Sequence, residues 1–278
     1  MTSFINRLDH ACETSRSLVC VGLDVDPQRM PVNDPLEFNQ AIVDATADLV
    51  CAYKPNLAFY EALGIPGLQA LEGTIDYIRS NAPQTIIIGD AKRGDIGPSG
   101  EAYTRAMFEV WGFDAVTFNA WGGQDTLLPF VKDPNRGIFI WCRGSNPSAA
   151  DFQDLPVDTP QGRVPLYQHL ARAAVSWNHN GNIGLVMGAT YPKQLADIRE
   201  TCPDMPLLLP GVGTQGGDLE AAVRAGVDSH GRRAIINSSR GIIYASDGPG
   251  FAQAARQVTA NLRDAINRVL EAEGKGWP

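Results

Sequence analysis

The sequence has few of the features that mark a membrane, secreted or nucleic-acid-binding protein. No uninterrupted run of about 18 apolar residues occurs, so no transmembrane helix is predicted. The first ten residues, MTSFINRLDH, lack the basic start and the apolar stretch of a secretory signal. We therefore expect a cytoplasmic protein that has no membrane partner.

Basic residues are in the minority. The chain has 23 Lys and Arg against 31 Asp and Glu, which gives a formal net charge of −8. Binding a phosphate backbone requires a basic surface, and this composition does not supply one. We expect no nucleic-acid partner, although a few local cations could still hold a small anionic ligand.

Cysteine and histidine are too scattered to suggest a disulfide framework or a metal site. The cysteines are an odd number with no C-x-x-C pair, and the four histidines form no H-x-x-x-H pair. We expect reduced thiols in the core at Cys12, Cys20, Cys51, Cys142 and Cys202.

Eight short apolar runs, bounded by glycine, proline or polar residues, are spread along the 278 residues. They cover positions 17–24, 51–59, 85–92, 115–119, 137–145, 182–189, 206–213 and 234–241. Most are apolar almost throughout, which is typical of parallel strands buried on both faces. The segments between them carry helical spacing, for example at 36–50 and 100–111.

Strand and helix alternating eight times in a chain of this length predicts an α/β protein, a single (β/α)8 TIM-barrel domain over residues 1–278. The alternative is a doubly wound open sheet. A glycine-rich stretch at 211–216 resembles a dinucleotide fingerprint, but it follows the seventh run instead of the first, so NAD is not expected. The polar, proline-rich stretch at 146–165 is the longest irregular segment and a candidate lid.

Charged residues close the first and third apolar runs, and the second run carries a lysine. Catalytic groups of a TIM barrel lie at the carboxyl ends of its strands, so Asp24, Lys54, Asp90, Lys92 and Asp95 are candidates. With a period of two, Asp90 and Lys92 point to the same side of the third strand, and Arg93 points away. Such charges must pair with one another to stay ionised, and a salt-bridge network without a catalytic role is the simpler alternative.

Lysine is rare in this chain, at five residues against eighteen arginines. Two of the five, Lys54 and Lys92, stand beside aspartates at predicted strand ends. An ammonium group can release a proton, whereas a guanidinium group essentially never does. Retention of lysine at these positions therefore suggests proton transfer.

A phosphate site is predicted near the seventh and eighth strands. Residues 210–218 supply glycine-rich backbone N–H groups and Gln215, and the SSRG sequence supplies Arg240. The loops after strands seven and eight commonly bind phosphate in this fold. The glycines could also serve only to shape a turn.

Six short motifs occur in order from the first run to the eighth. They are GLDVDP, YKPN, DAKRGDI, SNP, PGVGTQGGD and INSSRG. Together they resemble orotidine 5′-phosphate decarboxylase, of the bacterial group with DAKRGDIG. DAKRGDI is highly specific, and the others are strong in combination. The resemblance implies a cofactor-free enzyme of pyrimidine biosynthesis that converts orotidine 5′-monophosphate to UMP.

The resemblance also implies roles for individual residues. Asp24 and Lys54 would contact ribose hydroxyls, Lys54 would brace Asp90, and Lys92 would donate the proton. The protein would be a homodimer in which Asp95 enters the partner's site. Ser145 would bind the pyrimidine, Gln215 and Arg240 the 5′-phosphate, and Ser99 stands where the family usually has threonine.

Three other functions remain possible from the residues alone. A magnesium-dependent sugar-phosphate enzyme of the same superfamily shares a D-x-K-x-x-D word, but it carries a carboxylate where this chain has Lys54. A Schiff-base aldolase would need an unprotonated lysine, which neighbouring aspartates disfavour. A catalytically inactive nucleotide-binding barrel would have no use for an array of charges.

Overall fold

A computed structural model describes residues 3–160, 162–212 and 218–278 of the chain. Eight parallel strands close into a barrel in the order β1-β10-β9-β8-β5-β4-β3-β2. These strands are β1 Val19–Leu23, β2 Ala52–Pro55, β3 Ile86–Arg93, β4 Ala115–Phe118, β5 Gly137–Arg143, β8 Ile183–Met187, β9 Leu207–Pro210 and β10 Ala234–Ser238. The barrel prediction is confirmed, and the open-sheet alternative is wrong.

Helices surround the barrel and bury its outer face. They are α1 Phe4–Ser15, α2 Pro35–Thr46, α3 Leu57–Glu61, α4 Gly64–Asn81, α5 Gly97–Arg105, α6 Gln124–Val131, α7 Leu166–Trp177, α8 Pro192–Thr201, α9 Leu219–Gly226, α10 Arg240–Ile243 and α11 Phe251–Ala272. The strands are buried over nearly their whole length, as their apolar sequences require. No helix in the described part of the chain could cross a lipid bilayer.

The amino-terminal end of the barrel is closed by α1. The Phe4 ring packs edge to face against Phe139 of β5, with 6.1 Å between the ring centroids. Nearby, buried Asp114 accepts from Arg7 at 2.7 Å and pairs with Arg79 at 2.8 Å. This end of the barrel is therefore fixed by packing and ion pairs, and it lies opposite the predicted site.

Seven of the eight predicted strands are too long at their carboxyl ends, and in two of them a helix takes over. The second strand ends at Pro55, because the Asn56 side chain accepts from the Ala58 N–H and starts α3, so 57–59 are helical. The last strand ends at Ser238, and Arg240 begins α10 instead of extending the strand. Both helices start beside the barrel mouth.

The segment 146–165 is not irregular, contrary to the prediction. It contains a 3-10 helix, Pro147–Asp151, and an antiparallel hairpin of β6 Pro156–Thr159 and β7 Gly162–Pro165. A long insertion with its own hydrogen bonds can rest on the barrel rim without a buried core of its own. Its role as a lid stays a prediction.

Candidate active site

Strands β2 and β3 bring three predicted residues into one row of ion pairs. Lys54 Nζ donates to Asp90 Oδ2 at 2.8 Å, and Lys92 Nζ donates to Asp90 Oδ1 at 2.5 Å. The Lys54 side chain is 5% exposed and that of Asp90 11%, whereas Lys92 is 38% exposed. Asp90 thus holds one buried and one accessible ammonium group at the barrel mouth.

The neighbouring charges shift the pKa values of Asp90 and Lys54. Burial alone would raise the pKa of Asp90, but the ammonium groups of Lys54 and Lys92 outweigh it and hold that pKa well below its ordinary value. Burial alone would lower the pKa of Lys54, but Asp90 and then Asp24 raise it above its ordinary value. Asp90 and Lys54 therefore both stay ionised through the neutral pH range.

A bulge in β3 sets the direction of the Lys92 side chain. Gly89 lies beside Val116 and Arg93 beside Phe118, so three residues of β3 stand opposite Thr117 alone. Within the bulge Lys92 has a φ of 47°, a left-handed conformation that side chains other than glycine rarely adopt. The bulge turns Lys92 towards the mouth, where its ammonium lies 5.9 Å from the Trp141 ring centroid.

The ion-pair row lies beside a cavity of about 170 Å³ at the carboxyl ends of β1, β2, β9 and β10. Two further predicted residues, Asp24 and Arg240, line this cavity. Its other lining residues are Lys54, Asn56, Asp90, Pro210, Gly211, Val212, Asn237, Ser238 and Ser239. Its walls carry both signs of charge, which suits a ligand with hydroxyl groups and an anionic group.

Two buried oxygens in this cavity have no hydrogen-bond donor among the described residues. They are Asp24 Oδ1 and Asn237 Oδ1. A buried acceptor is normally paired, and an unpaired one at a cavity wall indicates where a ligand or water donates. Hydroxyl groups of a sugar are donors of the kind these oxygens need.

Four predicted residues lie outside the cavity lining. One of them, Lys92, is bound to the lining residue Asp90. Asp95 is exposed, and within the described part of the chain its carboxylate accepts from the neighbouring Ile96 N–H. Ser99 is exposed on α5, and Ser145 is half-buried after β5. The prediction for Gln215 falls outside the described residues.

Ser145 stands on a well-anchored loop. The preceding Arg143, almost fully buried, donates to both carboxylate oxygens of Asp154 at 2.8 Å and stacks 3.7 Å from the Tyr191 ring centroid. Gly188 packs so closely on the Ser145 backbone that a Cβ would come within 2.8 Å of it. These contacts tie the segment after β5 to the loop after β8.

Sequence reasoning missed several residues at the mouth, among them Thr117, Arg143 and Asn237. The sequence criterion selects charged side chains at the ends of apolar runs. It does not select a hydroxyl or an amide within a run. Extending the same rule to Thr, Asn and Ser would have found Thr117 and Asn237. Nothing in the sequence indicates that Asp154 is the partner of Arg143.

No group of three or more His, Cys, Asp or Glu side chains within residues 3–160, 162–212 and 218–278 is arranged to hold a metal ion. The position on β2 where metal-dependent barrels of this kind carry a carboxylate is occupied by Lys54, which is bound to Asp90. The described part of the site therefore presents lysine ammonium groups and isolated carboxylates to a ligand.

Comparison with known proteins gives consistent matches over almost the whole chain. The sequence model described as "Orotidine 5′-phosphate decarboxylase / HUMPS family" matches residues 17–257. Orotidine 5′-phosphate decarboxylase of Roseiflexus castenholzii is 50% identical over 277 residues, 97% of this chain and 99% of the relative. The relative from Thermomicrobium roseum is 47% identical and covers 96% of each chain.

Solved structures give the same result. Leishmania donovani OMP decarboxylase has a TM-score of 0.83 and 33% identity, and the match covers 96% of this chain and 98% of that one. The UMP synthase of the same organism has a TM-score of 0.87 and 36% identity, and the match covers 97% of this chain but 57% of the longer synthase.

Proposed function

Since the chain belongs to the orotidine 5′-phosphate decarboxylase / HUMPS family, we propose that it decarboxylates orotidine 5′-monophosphate to UMP. The observation that carries this proposal is the Lys54–Asp90–Lys92 row beside a cavity that contains Arg240. The row supplies fixed charge and a proton, and the cavity supplies groups for a sugar phosphate. We propose that the reaction uses no cofactor.

Lys92 has the central role in the proposed chemical step. When the bond between C6 and the carboxylate breaks, its electron pair stays on C6 in an orbital that the ring cannot delocalise. We propose that the Lys92 ammonium stabilises this charge and then transfers a proton to C6, leaving a neutral amine that solvent reprotonates. Its partial exposure, 38% of the side chain, supports contact with a bound ligand.

Asp90 acts on the other end of the same bond. Its carboxylate remains ionised because two ammonium groups lower its pKa. We propose that it lies beside the substrate carboxylate, so that two anions repel until CO2 departs. Lys54 holds Asp90 in place and offers its remaining N–H groups to the ribose, where Asp24 also accepts from a hydroxyl.

The rest of the nucleotide is held away from the reacting bond. We propose that Arg240, together with Gln215, binds the 5′-phosphate, because a guanidinium group pairs with two phosphate oxygens at once. Ser145 binds the pyrimidine, and closure of the segment 146–165 over it excludes water. Binding energy from these groups is then used to position C6 against Lys92.

A metal-free assay tests the proposed function. Purified protein in buffer with a chelator should convert orotidine 5′-monophosphate to UMP and CO2 in equal amounts, followed by the change in ultraviolet absorbance. The expected rate is the same with and without the chelator. Activity that returns only with magnesium would instead favour a metal-dependent relative, and no turnover in either buffer would contradict the proposal.

We further propose that the protein is a homodimer in which Asp95 and Ser99 complete the site of the partner. Both are exposed, and neither lines the cavity of its own chain. Large apolar side chains near them are also exposed, with Ile96 at 63% and Trp121 at 81%. Such a surface beside a charged loop suits burial against a second copy of the chain.

We also propose a cytoplasmic location, which the five reduced thiols support.

Mixing two inactive variants tests the shared site. Lys92→Ala and Asp95→Ala proteins, refolded together, should recover about a quarter of wild-type activity, because half of the dimers are mixed and each owns one intact site. Each variant refolded alone is the control and should stay inactive. Absence of recovery, with mixed dimers demonstrated by a tag on one variant, would place Asp95 in its own subunit's site.

A further inference from the structure

The bulge in β3 leaves the backbone of Lys92 without its regular partner. In a regular parallel sheet the N–H groups of an inner strand pair with carbonyls of its two neighbouring strands, but here three residues of β3 stand opposite Thr117 of β4. Buried backbone N–H groups are almost always paired by some other means. Here the Lys92 N–H donates to Thr117 Oγ1 at 2.9 Å.

The same hydroxyl also acts on the neighbouring catalytic carboxylate. Thr117 Oγ1 donates to Asp90 Oδ1 at 2.9 Å, the oxygen that Lys92 Nζ also contacts. Because Thr117 is 1% exposed, no water can replace its hydroxyl without a rearrangement. One side chain thus binds the backbone of one proposed catalytic residue and the carboxylate of the other.

Lys92 needs such a support because its backbone conformation is unfavourable. A φ of 47° at a residue with a Cβ persists only when the surrounding structure enforces it. If the Lys92 backbone relaxed to negative φ, its side chain would leave the direction in which it meets Asp90. The hydrogen bond from the Lys92 N–H to Thr117 Oγ1 holds this peptide group in place.

We propose that Thr117 is a positioning residue for the decarboxylation: its hydroxyl fixes the left-handed Lys92 backbone and the Asp90 carboxylate in one geometry. This inference rests on the proposed function. Thr117 does not touch the reacting atoms, so its loss should affect the chemical step and leave nucleotide binding largely intact. The hydroxyl is required, and the methyl group is not.

A set of matched variants tests this role. Thr117→Val keeps the shape and removes the hydroxyl, and we expect a roughly 10- to 100-fold fall in kcat, as for a displaced catalytic group. Thr117→Ser keeps the hydroxyl and should stay within about threefold of wild type. Thr259→Val is the matched control, since Thr259 is a fully buried threonine of α11 whose hydroxyl donates to the Ala255 carbonyl at 2.7 Å.

Binding of UMP, measured by calorimetry on the same proteins, separates positioning from a general structural role. The proposal expects a UMP Kd within about threefold of wild type in every variant, and Thr117→Ala, which also lacks the hydroxyl, should repeat the kcat loss. Wild-type kcat in Thr117→Val, or an equal loss in Thr117→Ser, would overturn the proposal. Inactive wild-type protein would instead overturn the proposed function.

Discussion

Replacing Lys92 with alanine is expected to lower kcat by many orders of magnitude and to leave a folded protein that still binds UMP. The reaction needs a positive charge next to C6 and a proton for it, and Lys92 is the accessible ammonium of the row. Lys54 cannot take its place, because its side chain is 5% exposed and its Nζ is bound to Asp90 at 2.8 Å.

Single-turnover measurements with excess enzyme would detect the residual rate, and circular dichroism would verify folding. Lys132→Ala is the matched control, since Lys132 is exposed at the end of α6. It should turn over at the wild-type rate. A Lys92→Ala rate within about tenfold of wild type would show that this ammonium neither stabilises the carbanion nor donates the proton, since positioned acids contribute at least about 100-fold.

Replacing Asp90 with asparagine should affect both stability and catalysis. Breaking a buried ion pair by removing one partner costs about 3–5 kcal/mol of unfolding free energy, because the Lys54 ammonium stays buried without its counter-ion. We expect a loss of that size in urea denaturation, together with a fall in kcat of several orders of magnitude. The variant keeps the shape of the side chain, so the loss reports charge.

The pH dependence of that stability difference gives an independent check. The pKa of Asp90 is lower in the folded protein than in the unfolded chain, so its ionisation stabilises the fold above the unfolded pKa. That contribution is lost as the pH falls through the folded pKa, and the gap between wild type and Asp90→Asn should narrow in acid. A gap that stays constant down to the acid transition would contradict this account.

Asp114→Asn provides the comparison at the opposite end of the barrel. Asp114 is buried and pairs with Arg7 and Arg79, so its variant should also lose stability. Its folded fraction should keep the wild-type kcat, because Asp114 lies far from the mouth. Destabilisation without a catalytic effect would then separate the two roles that Asp90 combines.

Much of the architecture could be predicted from local patterns. Runs such as 85–92 are apolar on both faces, and only buried parallel strands accommodate eight of them separated by helical segments. Asp90 and Lys92 meet as predicted, but the bulge, and not the regular period-two alternation assumed from the sequence, directs Lys92. Strand ends were less predictable, because a single cap such as Asn56 converts 57–59 to helix.

The finer geometry of the site depends on contacts between distant residues. The bulge in β3 follows from its register against β4, and the partnership of Thr117 with Lys92 exists only within that bulge. The segment after β5 is likewise tied to that strand by the ion pair between Arg143 and Asp154, eleven residues apart. Residue types and spacing carry no direct information about either arrangement.

The left-handed backbone at position 92 has an evolutionary consequence. Glycine or asparagine would occupy that conformation with less strain than lysine does. The ion pair of the partly exposed Lys92 ammonium contributes little to the free energy of unfolding. A lineage selected for heat resistance alone, and released from any demand for turnover, would therefore drift away from lysine at this position; the proposed role of Lys92 accounts for a lysine there.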